Sequence, residues 1–105
     1  MTTAGLGKEQ VIERLRYAQK QVRAFGVRRI ALFGSLVRGE ARPDSDIDLL
    51  VEFEPGQKTF DHFMALSFFL EDLLHRPVEI VTIDALSPFI GPHVLDEAED
   101  VLRAA

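Results

Sequence analysis

Arg29-Ile30-Ala31-Leu32-Phe33-Gly34-Ser35, followed after ten residues by Asp46-Ile47-Asp48-Leu49-Leu50-Val51-Glu52-Phe53, is the stretch from which the fold can be read. The first run is apolar over Ile30–Phe33 and ends at Gly34-Ser35, so it reads as a short buried strand. Leu36-Val37-Arg38 then has room for one helical turn before Gly39. Glu40 to Ser45 carries Pro43, Asp44 and Ser45, which is loop chemistry. The second run alternates, with Ile47, Leu49 and Val51 on one face of a strand and Asp46, Asp48 and Glu52 on the other. Pro55-Gly56 ends it.

The flanking segments extend the pattern. Upstream, Val11, Ile12, Leu15, Ala18, Val22 and Phe25 recur every three or four residues from Lys8, which predicts one amphipathic helix stopped by Gly26. Met1 to Gly7 is small and polar and is expected to fray. Downstream, Thr59 to Leu74 predicts a second long helix with Thr59 or Asp61 as its cap, closed by His75-Arg76-Pro77. Val78 to Thr82 predicts a third strand. Asp84 to Ala98 reads as helical, interrupted by Pro88 and by Gly91-Pro92. Helix, strand, short helix, strand, helix, strand, helix is the order of a small α/β or α+β protein, a mixed sheet with helices packed on one face.

Composition bounds the function. At 105 residues the chain has room for one domain, expected to span 1–105. Seventeen acidic against twelve basic residues leave a net charge of −5, which disfavours DNA or RNA as a partner. A hydrophobic fraction of 47% is ample for a packed core. No apolar run approaches the ~18–20 residues of a membrane span, and no signal-peptide pattern opens the chain. There is no cysteine, hence no disulfide, thiolate ligand or thiol nucleophile. A cytoplasmic protein without membrane contact is the expectation.

The chemistry is carried by three carboxylates and a glycine–serine turn. Asp46 and Asp48, two apart on a strand, project from one face, and two anions so placed repel unless a cation neutralises them. Hard oxygen ligands of this kind suit Mg²⁺ or Mn²⁺, which usually keep waters and add substrate phosphates to their shell. Such a pair is by itself common on solvated edge strands. Beside it, Gly34-Ser35 closes a strand and opens a helical turn, where backbone N–H groups favour an anion and the serine hydroxyl adds a donor. It is not a P-loop, because no Gly-Lys-Ser/Thr follows. In Val78-Glu79-Ile80-Val81, Glu79 points away from the core. If the third strand pairs beside the second, Glu79 joins Asp46 and Asp48, and three carboxylates on one face suit two-metal phosphoryl or nucleotidyl transfer on a nucleoside triphosphate, with two Mg²⁺ ions as one choice of metal. Glu79 could also accept the proton of an attacking hydroxyl. Arg38 and Arg42 flank the loop and are candidates for phosphate contact, Arg42 less so. His62, His75 and His93 are scattered and fit no ligand spacing.

Gly34-Ser35, ten residues, then Asp46-Ile47-Asp48 resembles the Gly-Ser-x10-Asp-x-Asp signature of the DNA-polymerase-β-like nucleotidyltransferases. The full string from Gly34 to Val51 is similar to their minimal nucleotidyltransferase branch, and the resemblance runs from about Ile30 to Leu102. It implies a nucleotidyltransferase fold in which Gly34, Ser35 and Arg38 bind nucleotide. Asp46, Asp48 and Glu79 would hold metal, and Ser35, Asp46, Asp48 and Glu79 would carry catalysis. Family members more often have aspartate at the third acidic position. The resemblance further implies an antitoxin paired with a HEPN-domain toxin, transferring AMP from ATP to a tyrosine of that toxin. The alternative is an antitoxin that neutralises its partner by forming a complex, without catalysis. Helix 59–74 bears on the partner. Phe68 shares a stripe with Asp61, Ala65, Asp72 and His75, which suggests that an apolar residue faces outward for a hetero-oligomeric contact.

Overall fold

In the computed structural model, which describes residues 7–40, 42 and 45–103, four strands form one mixed sheet in the order β3-β2-β1-β4. Chain order is α1 (Lys8–Tyr17), α2 (Gln19–Ala24), β1 (Val27–Phe33), α3 (Ser35–Arg38), β2 (Ile47–Phe53), α4 (Phe60–Leu74) and β3 (Val78–Thr82). A 3-10 turn (Ile83–Ala85), α5 (Gly91–Glu97) and β4 (Glu99–Arg103) complete it. The first two strands pair antiparallel, with Phe33 opposite Asp48. A parallel pair needs a long crossover, and α4 provides it between β2 and β3, setting Asp48 opposite Glu79.

The odd face of β2 (Ile47, Leu49, Val51) is buried against Leu66, Leu70 and Leu74 of α4 and Val11, Leu15 and Val22 of the amino-terminal helices, with Ile30 and Leu32 beside it on β1. The helix α4 begins where its cap predicts, because the Thr59 hydroxyl accepts from the His62 N–H at 3.1 Å. It ends at His75, which takes a left-handed conformation with φ 55°. No helix among the described residues is long and apolar enough to cross a membrane.

Three expectations are corrected. The amino-terminal helix is broken at Ala18 (φ −96°, ψ 16°), although its apolar stripe runs on through Val11, Leu15, Ala18 and Val22. Neither proline nor glycine marks the break. Gly91 and Pro92 open α5 rather than interrupt a helix, since proline in the first turn forgoes an N–H that has no partner there. The expected order ended in helix at Ala98, and the chain instead adds a fourth strand over Glu99–Arg103. Between Ile30 and Ala31 the β1–β4 register shifts, pairing Ile30 with Leu102 and Ala31 with Asp100, so neighbouring Val101 and Leu102 are both buried. A bulge of this kind erases the alternation by which a strand is recognised. Gly7 is the N-cap of α1 and its N–H donates to Gln10 at 2.8 Å, whereas residues 1–6 and Pro43 and Asp44, which the sequence reads as loop, lie outside those described.

Candidate active site

The site is built where β1 ends. Gly34 has φ 80° and ψ −154°, a conformation nearly restricted to glycine, and a Cβ placed on it would overlap the Asp48 carboxylate. The backbone of the turn therefore touches the carboxylate of the next strand. From Gly34 the chain enters α3, whose first turn closes when the Val37 and Arg38 N–H groups donate to the Gly34 carbonyl at 3.1 and 3.2 Å. Gly39, left-handed at φ 76°, ends it.

An open pocket of about 500 Å³ lies over this point. Gly34, Arg38, Asp48 and Glu79 line it together, joined by Phe33, Val81 and Leu86 and by His93, Val94 and Glu97 of α5. Ser35 and Asp46 are not among its lining residues. Ser35 is the half-buried first residue of α3, and Asp46 is exposed immediately before β2. Glu79 is exposed on β3, on the strand next to Asp48.

Electrostatics single out Asp48. Burial raises its carboxyl above the usual carboxylate range, and the negative charges of Glu79 and Asp46 raise it further, against a smaller opposing pull from Arg38. Excess negative charge on hard oxygen donors suits a divalent cation. Two protein carboxylates completed by water and phosphate oxygens are a common Mg²⁺ shell. Among the described residues, however, no three His, Asp or Glu side chains converge as a ready metal cluster.

Two residues matter here that sequence reasoning passed over. Glu97 accepts from the Gly34 N–H at 2.9 Å and from Arg38 Nη1 at 2.7 Å, and these two bonds hold its carboxyl below the ordinary range. Arg38 also donates from Nε to Glu40 at 2.9 Å. Arg76 is buried, and it donates to the Ser45 carbonyl at 2.6 and 3.1 Å and to the Arg42 carbonyl at 3.0 Å. Beside it, the Ile47 N–H donates to the Pro77 carbonyl at 2.9 Å. The segment leading into Asp46 is thereby fastened to the α4–β3 turn. No sequence spacing signals either contact. His93, given no role from its spacing, lines the pocket, while His62 Nδ1 lies 2.7 Å from the Gln57 carbonyl and His75 caps α4.

Comparison with known proteins agrees with this geometry. A family profile described as "Nucleotidyltransferase domain" matches residues 10–101. Protein adenylyltransferase MntA of Thermococcus cleftensis is 42% identical over 95 residues, spanning 90% of this chain and 95% of the relative. A solved structure provisionally described as a minimal nucleotidyltransferase is 41% identical with a TM-score of 0.69, covering 89% of this chain and 98% of the other. A chain from a solved complex, described as the tri-AMPylated Shewanella oneidensis HEPN toxin with MNT antitoxin, shares the fold. It has a TM-score of 0.64 at 19% identity, over 90% of this chain and 73% of that one.

Proposed function

Given that this chain belongs to the nucleotidyltransferase domain family, we propose that it is the antitoxin of a HEPN toxin and transfers AMP from ATP to a tyrosine of that partner. The observation that carries the reading is the abutment of Gly34 and Asp48, which brings a phosphate-donor backbone and an electrostatically strained carboxylate to one pocket. The relative from Thermococcus cleftensis, by its name, supports a protein as acceptor, and the Shewanella oneidensis complex, by its description, supports a HEPN partner.

In this reading the Gly34 N–H, the Ser35 hydroxyl and Arg38 hold the phosphates. Val81, Leu86 and Val94 form an apolar wall that suits a flat base. Asp46 and Asp48 would hold Mg²⁺, with Glu79 opposite Asp48 on β3 as a further carboxylate, and the ion would offset the charge of the triphosphate. As the tyrosine oxygen bonds to the α-phosphorus, the bond from that phosphorus to the bridging oxygen breaks and pyrophosphate leaves. Glu79, exposed at the mouth, accepts the hydroxyl proton. Phe68 is 63% exposed and Phe60 78% exposed on α4, apolar surface that fits a partner contact.

Intact-mass spectrometry of the HEPN partner after incubation with this protein, ATP and Mg²⁺ tests the proposal. Mass gains in steps of one AMP are expected, and none with Asp48→Asn. One observation favours a second reading, a non-catalytic antitoxin, namely that the carboxylates do not converge as a ready metal cluster among the described residues. A stable complex with no mass gain would establish that alternative. Phe68→Ser leaving partner affinity unchanged would remove α4 from the interface.

A further inference from the structure

The Gly34 N–H through which a phosphate would be held is already engaged by an anion of the chain itself. Both oxygens of Glu97 are used, Oε2 on the Gly34 N–H at 2.9 Å and Oε1 on Arg38 Nη1 at 2.7 Å. One backbone N–H and one guanidinium on two oxygens of a single anion is how proteins commonly grip phosphate. One N–H cannot serve two anions in full, and the Glu97 charge repels a second one brought beside it. The side chain is 23% exposed at the pocket wall, so it has an outlet to solvent. Arg38 would stay in place on its departure, because its Nε remains bonded to Glu40.

We infer that Glu97 is a resident anion in the phosphate cradle and that a triphosphate binds by displacing it from Gly34 and Arg38. The inference rests on the reading of Gly34 and Arg38 as phosphate donors. It makes Glu97 act in opposite directions on two properties. Its bonds tie α5 to the β1–α3 turn, so their loss lowers stability, and the same loss frees the donors and tightens anion binding. A side chain with only a packing role would weaken both.

Calorimetric titration of the full chain with ATP and with tripolyphosphate, each with Mg²⁺, tests this on wild type, Glu97→Ala, Glu97→Gln and Asp96→Ala. Asp96 is the exposed neighbour on α5 and controls for loss of one negative charge. Glu97→Ala is expected to bind both ligands about tenfold more tightly, the scale of one charge-assisted hydrogen bond no longer in competition. Glu97→Gln falls between, since its amide oxygen still accepts from Gly34 without the charge, and Asp96→Ala shifts by less than twofold. Melting temperatures of both Glu97 variants drop. If Glu97→Ala does not fold, Glu97→Gln carries the comparison. Unchanged or weaker affinity in the Glu97 variants, with ATP still binding, overturns the inference and leaves the nucleotide site standing. Tighter tripolyphosphate with no ATP binding in any form keeps the resident anion and removes the nucleotide. Binding of neither ligand by any form removes both.

Discussion

Asp48→Asn should make the protein more stable while abolishing transfer. Asp48 sits opposite Glu79 on the parallel neighbour strand, and burial together with the Glu79 and Asp46 charges already disfavours its ionised form. Adjacent strands lie about 4.8 Å apart, so the two carboxylates stand roughly 6 Å from one another. Two unit charges at that separation repel by roughly 0.7 kcal/mol at the dielectric constant of water and about 2.8 kcal/mol at the value of about 20 typical of pairs near a surface, and the exposure of Glu79 favours the lower figure. Cross-strand charge pairs are worth about 0.2–1 kcal/mol and like charges directly opposite are destabilising, which also favours the lower figure. Relief of that repulsion should therefore raise the stability of Asp48→Asn by about 1 kcal/mol, roughly 4–6 °C in Tm for a chain of this size.

Thermal unfolding at neutral pH and low salt is the assay, run on Asp48→Asn, Glu79→Gln and the double variant. Each single change removes the same repulsion, so the double should gain less than the sum by about 0.5–1 kcal/mol. The gain should shrink in high salt, because both groups are partly exposed. Added Mg²⁺ should raise the Tm of wild type and not of Asp48→Asn, since only the form that binds the ion is stabilised by it. A Tm unchanged or lowered in both singles, with strict additivity in the double, would refute the electrostatic account. Full AMP transfer by Asp48→Asn would refute the chemical one.

Gly34→Ala should lose roughly 2–3 kcal/mol, because the new Cβ meets Asp48 at a positive φ, and urea unfolding measures it. Arg76→Met should cost about 2–3 kcal/mol by leaving the Arg42 and Ser45 carbonyls without its guanidinium. It should also speed hydrogen exchange at Ile47, and unchanged exchange over residues 45–48 would mean that Arg76 does not hold the segment. The Glu97 carboxyl is held low by Arg38 and the Gly34 N–H, with Asp48 the nearby like charge and Glu40 sharing Arg38. A depressed folded-state value gives stability that is present above the ordinary glutamate range and is lost as pH falls through the folded value. The Tm advantage of wild type over Glu97→Gln should thus hold at pH 7 and close below about pH 4. A constant difference across that window would contradict the assignment.

Three strands and the long helix were legible, the first strand from its apolar run Ile30–Phe33 and the others from their patterning. Ile47, Leu49 and Val51 alternate with Asp48 and Glu52, and Leu66, Leu70 and Leu74 recur at helical spacing behind a threonine cap. The pairing of β3 beside β2, on which the meeting of Asp48 and Glu79 depends, was conditional in the sequence and is met in the fold. The fourth strand was not legible, because its bulge sets two buried residues side by side and its remaining positions are charged. Asp100 there accepts from Arg29 Nε at 2.7 Å and Glu99 accepts from Lys8 at 3.1 Å, pairings with distant parts of the chain that a linear reading does not show.

The parts of the site that stayed hidden share one physical property: they act across the chain rather than along it. Glu97 reaches Gly34 over 63 residues and Arg76 reaches Ser45 over 31, and both make bonds to backbone groups, which carry no side-chain signature. A motif reports the groups that a reaction needs. It is silent on the groups that hold those in register or compete for them. The Gly34, Ser35, Asp46 and Asp48 string could therefore be read as chemistry before any fold was known. That the Gly34 N–H and Arg38 are engaged by a carboxylate of α5 follows only from how α5 is delivered. The bulged pairing of β4 with β1 anchors the chain just past Glu97, and that anchor sets the carboxylate against the Gly34 turn. The placement of that carboxylate is in this sense set by an edge strand.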